Sequence, residues 1–408
     1  MEKPKIRFKS FEKRWESYRL SEYSNYRRGS FPQPYGNKEW YGGDNAMPFV
    51  QVVDVLENLR LVADTKQKIS TLAQPMSVFV PSDSVIVTLQ GSIGRVAITQ
   101  YDAYVDRTIL IFEDYNSQTN KEFWAYTIRN KFEIERQKAP GGTIKTITKE
   151  ALSDFKVSIP EYTEQSAIGS LFRILDDLLA SYKDNLASYQ SLKATMLSKM
   201  FPKTGQTVPE VRLDGFEGEW EINKLNKYLT VSKKKNNQQK FGKEDVLSVS
   251  GEVGIVNQIQ FQGRSFAGVS VEMYSIVDTG NIVYTKSPLK ANPYGIIKTN
   301  YGIPGIVSTL YAVYLPNENV FPGFVDRYFE NDLRLNSYLK PLVNKGAKND
   351  MKVSDENALL GNVIFPKLEE QEAISDYFTN LDKFIQSHKD KISQLETLKK
   401  KLLQDMFI

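Results

Sequence analysis

The 408-residue chain contains one histidine, no cysteine, and 53 basic against 49 acidic residues, for a formal charge of +4. That charge announces no polyanionic partner, the missing cysteines exclude a disulfide framework or thiolate metal site, and a single histidine excludes most familiar triads and zinc sites. With 41% hydrophobic and 25% charged residues, no run of 18 apolar residues, and no apolar signal core after Met1-Glu2-Lys3-Pro4-Lys5, the composition is that of a soluble globular protein with no membrane segment, expected in the cytoplasm.

In chain order, an entry segment comes first: Pro4-Lys5-Ile6-Arg7-Phe8, then Phe11, Trp15, Glu16 and Leu20. Three β-rich runs follow at 77–80, 84–88 and 95–99, bounded by Pro81-Ser82-Asp83 and by the turn Gln90-Gly91-Ser92-Ile93-Gly94. A helix is predicted over about 117–132, then a basic glycine loop from Gln137 to Lys145. From Thr163 to Met200 the pattern predicts one helix of roughly 57 Å at 1.5 Å per residue.

The second half repeats this plan. Pro209-Glu210-Val211-Arg212-Leu213, Phe216, Trp220, Glu221 and Leu225 restate the entry at an offset of 205. Asn281 to Thr285 takes the part of the strand at 84–88, a helix is predicted around 326–336, and Asn344 to Asn349 forms a second basic glycine loop. The segment from Phe365 to Phe407 then aligns without a gap to Ile159–Phe201 at an offset of 206, sharing Pro160/Pro366, Glu164/Glu370, Gln165/Gln371, Asp176/Asp382, Lys193/Lys399 and Phe201/Phe407 among others. An internal repeat decides architecture before any single motif does. Because the entry segment both begins the chain and follows the first helix, the repeat is circular, and a pseudo-twofold closure predicts that the N-terminal segment lies beside the end of the second helix.

The helices carry a heptad pattern. One seam reads Ile168, Leu171, Leu175, Leu178, Tyr182, Tyr189 and Leu192 with Asn185 as a polar step; the other reads Ile374, Tyr377, Leu381, Phe384, His388, Leu395 and Leu398 with Lys391 at the equivalent step. Each seam is expected to pair antiparallel with the other, which assigns His388 a packed role rather than catalysis. Phe172, Leu179, Leu186 and Leu197 are left over as a surface for partner helices or as wider burial within the pair. The boundaries that follow are a first body at 1–159, its helix at 160–202, a second body at 203–364 and its helix at 365–408.

Catalytic signatures are missing: no Gly-x-x-x-x-Gly-Lys-Ser/Thr, no Gly-x-Gly-x-x-Gly after a strand, and Asn292-Pro293-Tyr294 reads better as a turn than as part of a methyltransferase motif. The chain reads as a binder with no cofactor of its own. Candidate DNA contacts are loops that mix cations with amides and aromatics: Gln90, Ser92 and Arg95 in the glycine turn; Lys138 and Lys145 in the first basic loop; Lys233, Lys234, Lys235, Asn236, Asn237 and Gln238; Lys286, Lys290, Asn292 and Tyr294; and Lys345, Lys348 and Asn349. Lysine supplies phosphate contacts, while Arg, Asn and Gln can read base edges. For the run at 233–240 alone, a solvated polar loop is the competing reading, and Arg95 can equally be a strand-edge charge.

Over nearly its whole length the sequence resembles the specificity subunit of Type I restriction-modification systems. The resemblance is carried by Pro209–Leu213 with Phe216-Glu217-Gly218-Glu219-Trp220, by Val87 to Arg95, by Ile159-Pro160 with Glu164-Gln165 and Phe365-Pro366 with Glu370-Gln371, and by the helix ends Leu197-Ser198-Lys199-Met200-Phe201 and Leu403-Gln404-Asp405-Met406-Phe407. It implies an α+β protein: two globular mixed α/β target recognition domains separated by two long antiparallel coiled-coil helices, each domain reading half of a split site in double-stranded DNA. It further implies two modification (methyltransferase) subunits that carry S-adenosylmethionine, and restriction subunits that use ATP and Mg²⁺. A helix of roughly 57 Å spans two major-groove entries one turn of about 34 Å apart, so the helices would act as a ruler. The turn Gly91-Ser92-Ile93-Gly94 becomes Ser287-Pro288-Leu289-Lys290 in the second body, so base-reading roles do not transfer between halves. A free-standing regulator or antirestriction decoy on the same fold, and a protein-binding scaffold, are the rival readings; co-purification with a methyltransferase subunit and salt-sensitive DNA binding separate them.

Overall fold

A computed structural model describes residues 4–138, 152–345 and 351–408. The candidates Lys145, Lys348 and Asn349 lie outside the described residues. The chain forms two compact units, one of Met1–Asp184 with Lys389–Ile408 and one of Asn185–His388. Among the described residues no helix is long and apolar enough to cross a membrane.

In the first unit β1 (Glu16–Arg19) pairs antiparallel with β10 (Lys156–Ile159), and the one-turn helix α1 (Leu20–Tyr23) leads into the main sheet. That sheet has the antiparallel order β2 (Ser24–Arg28), β9 (Ile109–Tyr115), β6 (Val85–Thr88), β7 (Val96–Ile98). Every residue of β6 is buried because both faces of the sheet are covered. Val85, Val87, Leu110 and Phe112 point to α2 (Lys121–Lys138) and its aromatic core; Ile86, Ile109 and Ile111 point the other way, to a second sheet. The second sheet is β4 (Gln67–Ile69), β3 (Met47–Val50), β8 (Ala103–Val105), β5 (Val78–Val80), with β3 and β8 parallel.

The second unit repeats the main sheet. Its order is β12 (Leu229–Val231), β19 (Tyr311–Pro316), β16 (Ile282–Thr285), β17 (Ile297–Thr299). Ile282, Tyr284, Ala312 and Tyr314 face the helical side, while Val283 and Val313 face the other. The layer beyond differs from that of the first body: two ribbons, β13 (Leu247–Ser250) with β14 (Gly254–Asn257) and β15 (Ser275–Val277) with β18 (Gly305–Val307), replace the four-stranded sheet. The short helix α4 (Gln258–Gln262) follows β14, β20 (Asn344–Lys345) pairs with β21 (Met351–Lys352), and β11 (Glu221–Lys224) pairs with β22 (Asn362–Phe365) as β1 does with β10.

Two helix boundaries depart from the sequence reading. The helix expected from 117 starts at Lys121, because Asn120 Oδ1 accepts the Phe123 N–H at 2.9 Å as an N-cap. The single helix expected around 326–336 is two, α5 (Pro322–Phe329) and α6 (Asp332–Leu339), since Asn331 caps the second by accepting the Arg334 N–H at 3.0 Å.

The long helices are α3 (Tyr162–Lys199) and α7 (Leu368–Met406). Within each unit a segment of one runs antiparallel to a segment of the other: Lys183 pairs with Glu396 at 2.7 Å in the first unit, and Lys193 with Asp382 at 2.6 Å in the second. The seam is rotated from the expected one. Ile168, Leu175, Ile374 and Leu381 are buried, and Leu171, Tyr182, Tyr189, Tyr377, His388 and Leu395 are partly so, but Leu178, Leu192, Phe384 and Leu398 are exposed, as are Asn185 and Lys391. Of the two readings open for Phe172, Leu179, Leu186 and Leu197, wider burial holds: the first two and Leu197 are buried, and Leu186 is partly buried. The reason is that each helix packs on a body as well as on its partner. Phe172 lies against Tyr126 and Phe407, and Phe378 stacks on Phe201, so the apolar stripe is wider than two positions per heptad and centred one residue later.

Candidate nucleic-acid interface

What positions each body is a lock made twice. Arg7 donates from Nε and Nη2 to the carboxylate of Glu164, both at 2.7 Å; Arg212 does the same to Glu370 at 2.8 and 2.7 Å. Both carboxylates are buried, so these are the strong bidentate kind of pair. Ile6 N–H donates to Asp405 O at 2.9 Å and Val211 N–H to Lys199 O at 3.0 Å, which places the N-terminal segment beside the end of α7 as the circular repeat requires. The neighbouring glutamine tightens the lock. Gln165 donates to Pro160 O and accepts the Asn120 N–H, both at 3.0 Å, while Gln371 donates to Pro366 O at 3.0 Å and accepts the Phe321 N–H at 2.9 Å. Each glutamine thus fixes the first turn of the body helix to the first turn of the long helix. Beside it lies an aromatic hub, Trp15–Phe123–Phe407–Phe172 in one unit and Trp220–Phe324–Phe201–Phe378 in the other.

The next turn of each body helix differs. In the first unit Asp176 accepts from Tyr126 Oη and from Lys399 Nζ; burial pushes the tyrosine pKa upward, with the Asp176 charge adding to it, while burial holds the lysine below its ordinary value. In the second unit Lys193, Glu330, Arg327 and Asp382 close a four-membered ion ring: Lys193–Glu330 2.5 Å, Arg327–Glu330 2.9 Å, Arg327–Asp382 2.7 Å and Lys193–Asp382 2.6 Å. Burial works against the Glu330 charge, but Lys193 and Arg327 overcome it and hold the carboxyl below the usual glutamate range.

On these frames stand the loops named from sequence. The turn after β6 is closed by a threonine clasp: Thr88 Oγ1 accepts the Arg95 N–H at 3.0 Å, and Thr88 N–H donates to Arg95 O at 2.9 Å. After β16 the same clasp recurs, with Thr285 Oγ1 accepting the Ile296 N–H and Thr285 N–H donating to Ile296 O, both at 2.9 Å. Inside the clasp the first turn runs from Leu89 to Gly94 and the second, four residues longer, from Lys286 to Gly295. Gly94 has φ +81° and a Cβ there would lie 2.8 Å from Phe132 Cβ, so glycine is required by both backbone and space. Gln90 and Ser92 are exposed on the first turn and Lys290 on the second.

Seven of the sequence candidates make contacts within the fold. Asn236 is buried, donating to Phe241 O at 2.8 Å and accepting the Phe241 N–H at 3.1 Å, an asparagine-closed turn. Asn292 is buried and donates to Asp332 at 2.8 Å, while Lys286 pairs with Asp355 at 2.8 Å. Arg95 donates to Val55 O at 3.3 Å and lies 3.6 Å from Glu57, which draws it back onto its own body. Lys234 pairs with Asp278 at 3.2 Å and Lys235 donates to Ser275 Oγ at 2.9 Å; Tyr294 is partly buried against the core. Lys233, Asn237 and Gln238 remain exposed, and Lys138 and Lys345 close α2 and β20. Sequence reasoning passed over the loop between α4 and β15, where Phe266, Val269 and Met273 are all exposed, next to an exposed Phe261 on α4. Its apolar residues follow no helical or strand period, so only the structure reveals them.

Residues 12–188 match the family described as Type I restriction modification DNA specificity domain. In fold, the chain is similar to the S subunit of a Type I restriction-modification system from M. genitalium: 14% identity over 100% of this chain and 99% of that one, with a TM-score of 0.60. A chain from a structure concerned with complex assembly and conformational transition of the Type I system is similar over 96% of this chain and 97% of that one, at 14% identity and a TM-score of 0.50.

Proposed function

We propose that this chain, a Type I restriction-modification specificity subunit whose DNA specificity domain occupies residues 12–188, reads a bipartite double-stranded DNA site with one body per half. The observation that carries this reading is the contrast between identity and divergence. Arg–Glu lock, Gln tie, aromatic hub and threonine clasp are the same in both units, whereas the turn inside the clasp and the β-layer beyond it differ. Two equal mounts with unequal surfaces suit two different half-sites. Recognition here is non-catalytic; methyl transfer to adenine from S-adenosylmethionine falls to two modification subunits, and ATP- and Mg²⁺-dependent cleavage to restriction subunits, within the cytoplasm.

Two modification subunits need two equivalent docking places, and the exposed apolar residues of the long helices supply candidates. Leu178 and Leu398 lie at one level of the antiparallel pair in the first unit, Phe384 and Leu192 at one level in the second; Leu178/Phe384 and Leu192/Leu398 are the same repeat positions. Solvent-exposed leucine and phenylalanine repeated by the symmetry mark an interface rather than chance exposure. The test is native mass measurement of the complex with its modification partner. Leu178→Asp with Leu398→Asp should remove one modification subunit and leave the other; unchanged stoichiometry would exclude this face, and methylome sequencing of the host should return a two-part motif.

A further inference from the structure

We infer that the loop between α4 and β15 carries a stacking wedge, Phe266 backed by Arg264, that enters the base stack of the half-site read by the second body. This deepens the DNA reading given above and rests on it. The Arg264 guanidinium lies 4.6 Å from the Phe266 ring centroid, and the ring is 57% exposed. Val269 and Met273, at 96% and 65% exposure, belong to the same loop. Single exposed apolar residues are ordinary, but several on one loop of a soluble body mark a surface that meets something.

The loop is held, not loose. Gly263 caps α4 with φ +76°, the Phe266 N–H donates to Gln258 Oε1 at 2.7 Å, and the far end is bolted to the lysine–amide run: Asn236 N–H donates to Tyr274 O at 3.0 Å, Asn236 Nδ2 to Val271 O at 3.3 Å, and Gln239 Nε2 to Glu272 at 2.5 Å. The loop that carries the aromatic tip is therefore mounted on the run that also carries the exposed Lys233. Charge chooses the occupant. Asp278 is neutralised by Lys234 and Glu272 keeps its charge beside the Gln239 amide at the far end of the loop, while at the tip itself the group over the ring is the Arg264 cation, which favours a polyanion over an apolar protein partner there. Apolar side chains flanked by Arg and Lys are what unstack base steps, and Arg adds its own cation–π contribution to aromatic stacking.

The experiment uses the chain assembled with its modification partner and duplexes carrying the methylated motif, with 2-aminopurine placed singly across each half-site. Wild-type complex should brighten the probe at one step of one half-site only. Phe266→Ala should abolish that signal and weaken binding roughly tenfold to a hundredfold, while Phe266→Trp restores both; the ring is exposed, so folding is not at stake. Wild-type brightening that survives in Phe266→Ala overturns the wedge but not the bipartite reading. Loss of the modification subunit from Phe266→Ala identifies the loop as a protein-docking face and also overturns it. Failure of wild-type complex to bind the bipartite duplex overturns the underlying reading, and the wedge with it.

Discussion

Thr285 shows how much one side chain can hold. Its hydroxyl accepts the buried Ile296 N–H and so closes the neck of a ten-residue turn that is tied to its body elsewhere through Lys286–Asp355 and Asn292–Asp332. Replacing it by valine keeps the shape and removes the acceptor, which leaves a buried donor unsatisfied at a cost of about 1–3 kcal/mol. Thr285→Val should lower the unfolding free energy measured by chemical denaturation by that margin, and relax discrimination in one half of the methylated motif while the other stays intact; Thr88→Val should affect the opposite half. Equal loss of both halves from either variant would disconnect the turns from reading. The sequence pointed to both turns through their glycines and cations, but it offered Asn236 and Asn292 as base contacts although both are buried and bonded within the fold, because an amide that ties the fold and an amide that reads adenine are the same residue type. Burial alone separates them.

Among the elements, the body helices meet the long helices through two different charge arrangements on identical partners. Asp176 and Asp382, like Lys193 and Lys399, are the same repeat positions, while the body offers Tyr126, with the Arg129 charge acting on it, in one unit and Arg327 and Glu330 in the other. Glu330→Arg places three cations around Asp382 and should cost about 3–5 kcal/mol, the usual penalty for breaking a buried pair. Adding Arg327→Tyr recreates the first unit's arrangement and should recover most of that loss, measured as two resolved thermal transitions rather than one midpoint. The pH sign follows from the depressed Glu330 carboxyl. Its contribution is complete above the unfolded glutamate value and lost as pH falls through the lower folded value, so Glu330→Gln should flatten the acid limb of the second unit's stability curve. Periodicity made these helices visible, but it could not choose between neighbouring apolar positions: Leu171 and Phe172 fit equally well until the body packing against Phe172 is known.

For the whole molecule, the two halves should be separable in function. Exchanging residues 203–364 for the corresponding body of a relative should change one half of the methylated sequence and preserve the other; simultaneous change of both would refute independent readers. The circular repeat was fully legible, since identities at a constant offset need no structure to be seen. The loop at Phe266 was not, because nothing in its sequence distinguishes a buried aromatic from an exposed one.

The Gln165 and Gln371 ties have a consequence for how such a chain can change over time. At the glutamine tie a body helix meets its long helix through one backbone N–H, one phenylalanine at the third helical position, and a side chain one turn later that bonds the long-helix aspartate, Tyr126 in one unit and Arg327 in the other. A backbone N–H places almost no demand on side-chain identity. The fitting is therefore generic, like a standard thread on interchangeable tools. Any new body that presents this short contact inherits a finished holder, so its outer loops are free to drift under selection for new targets while the holder stays fixed.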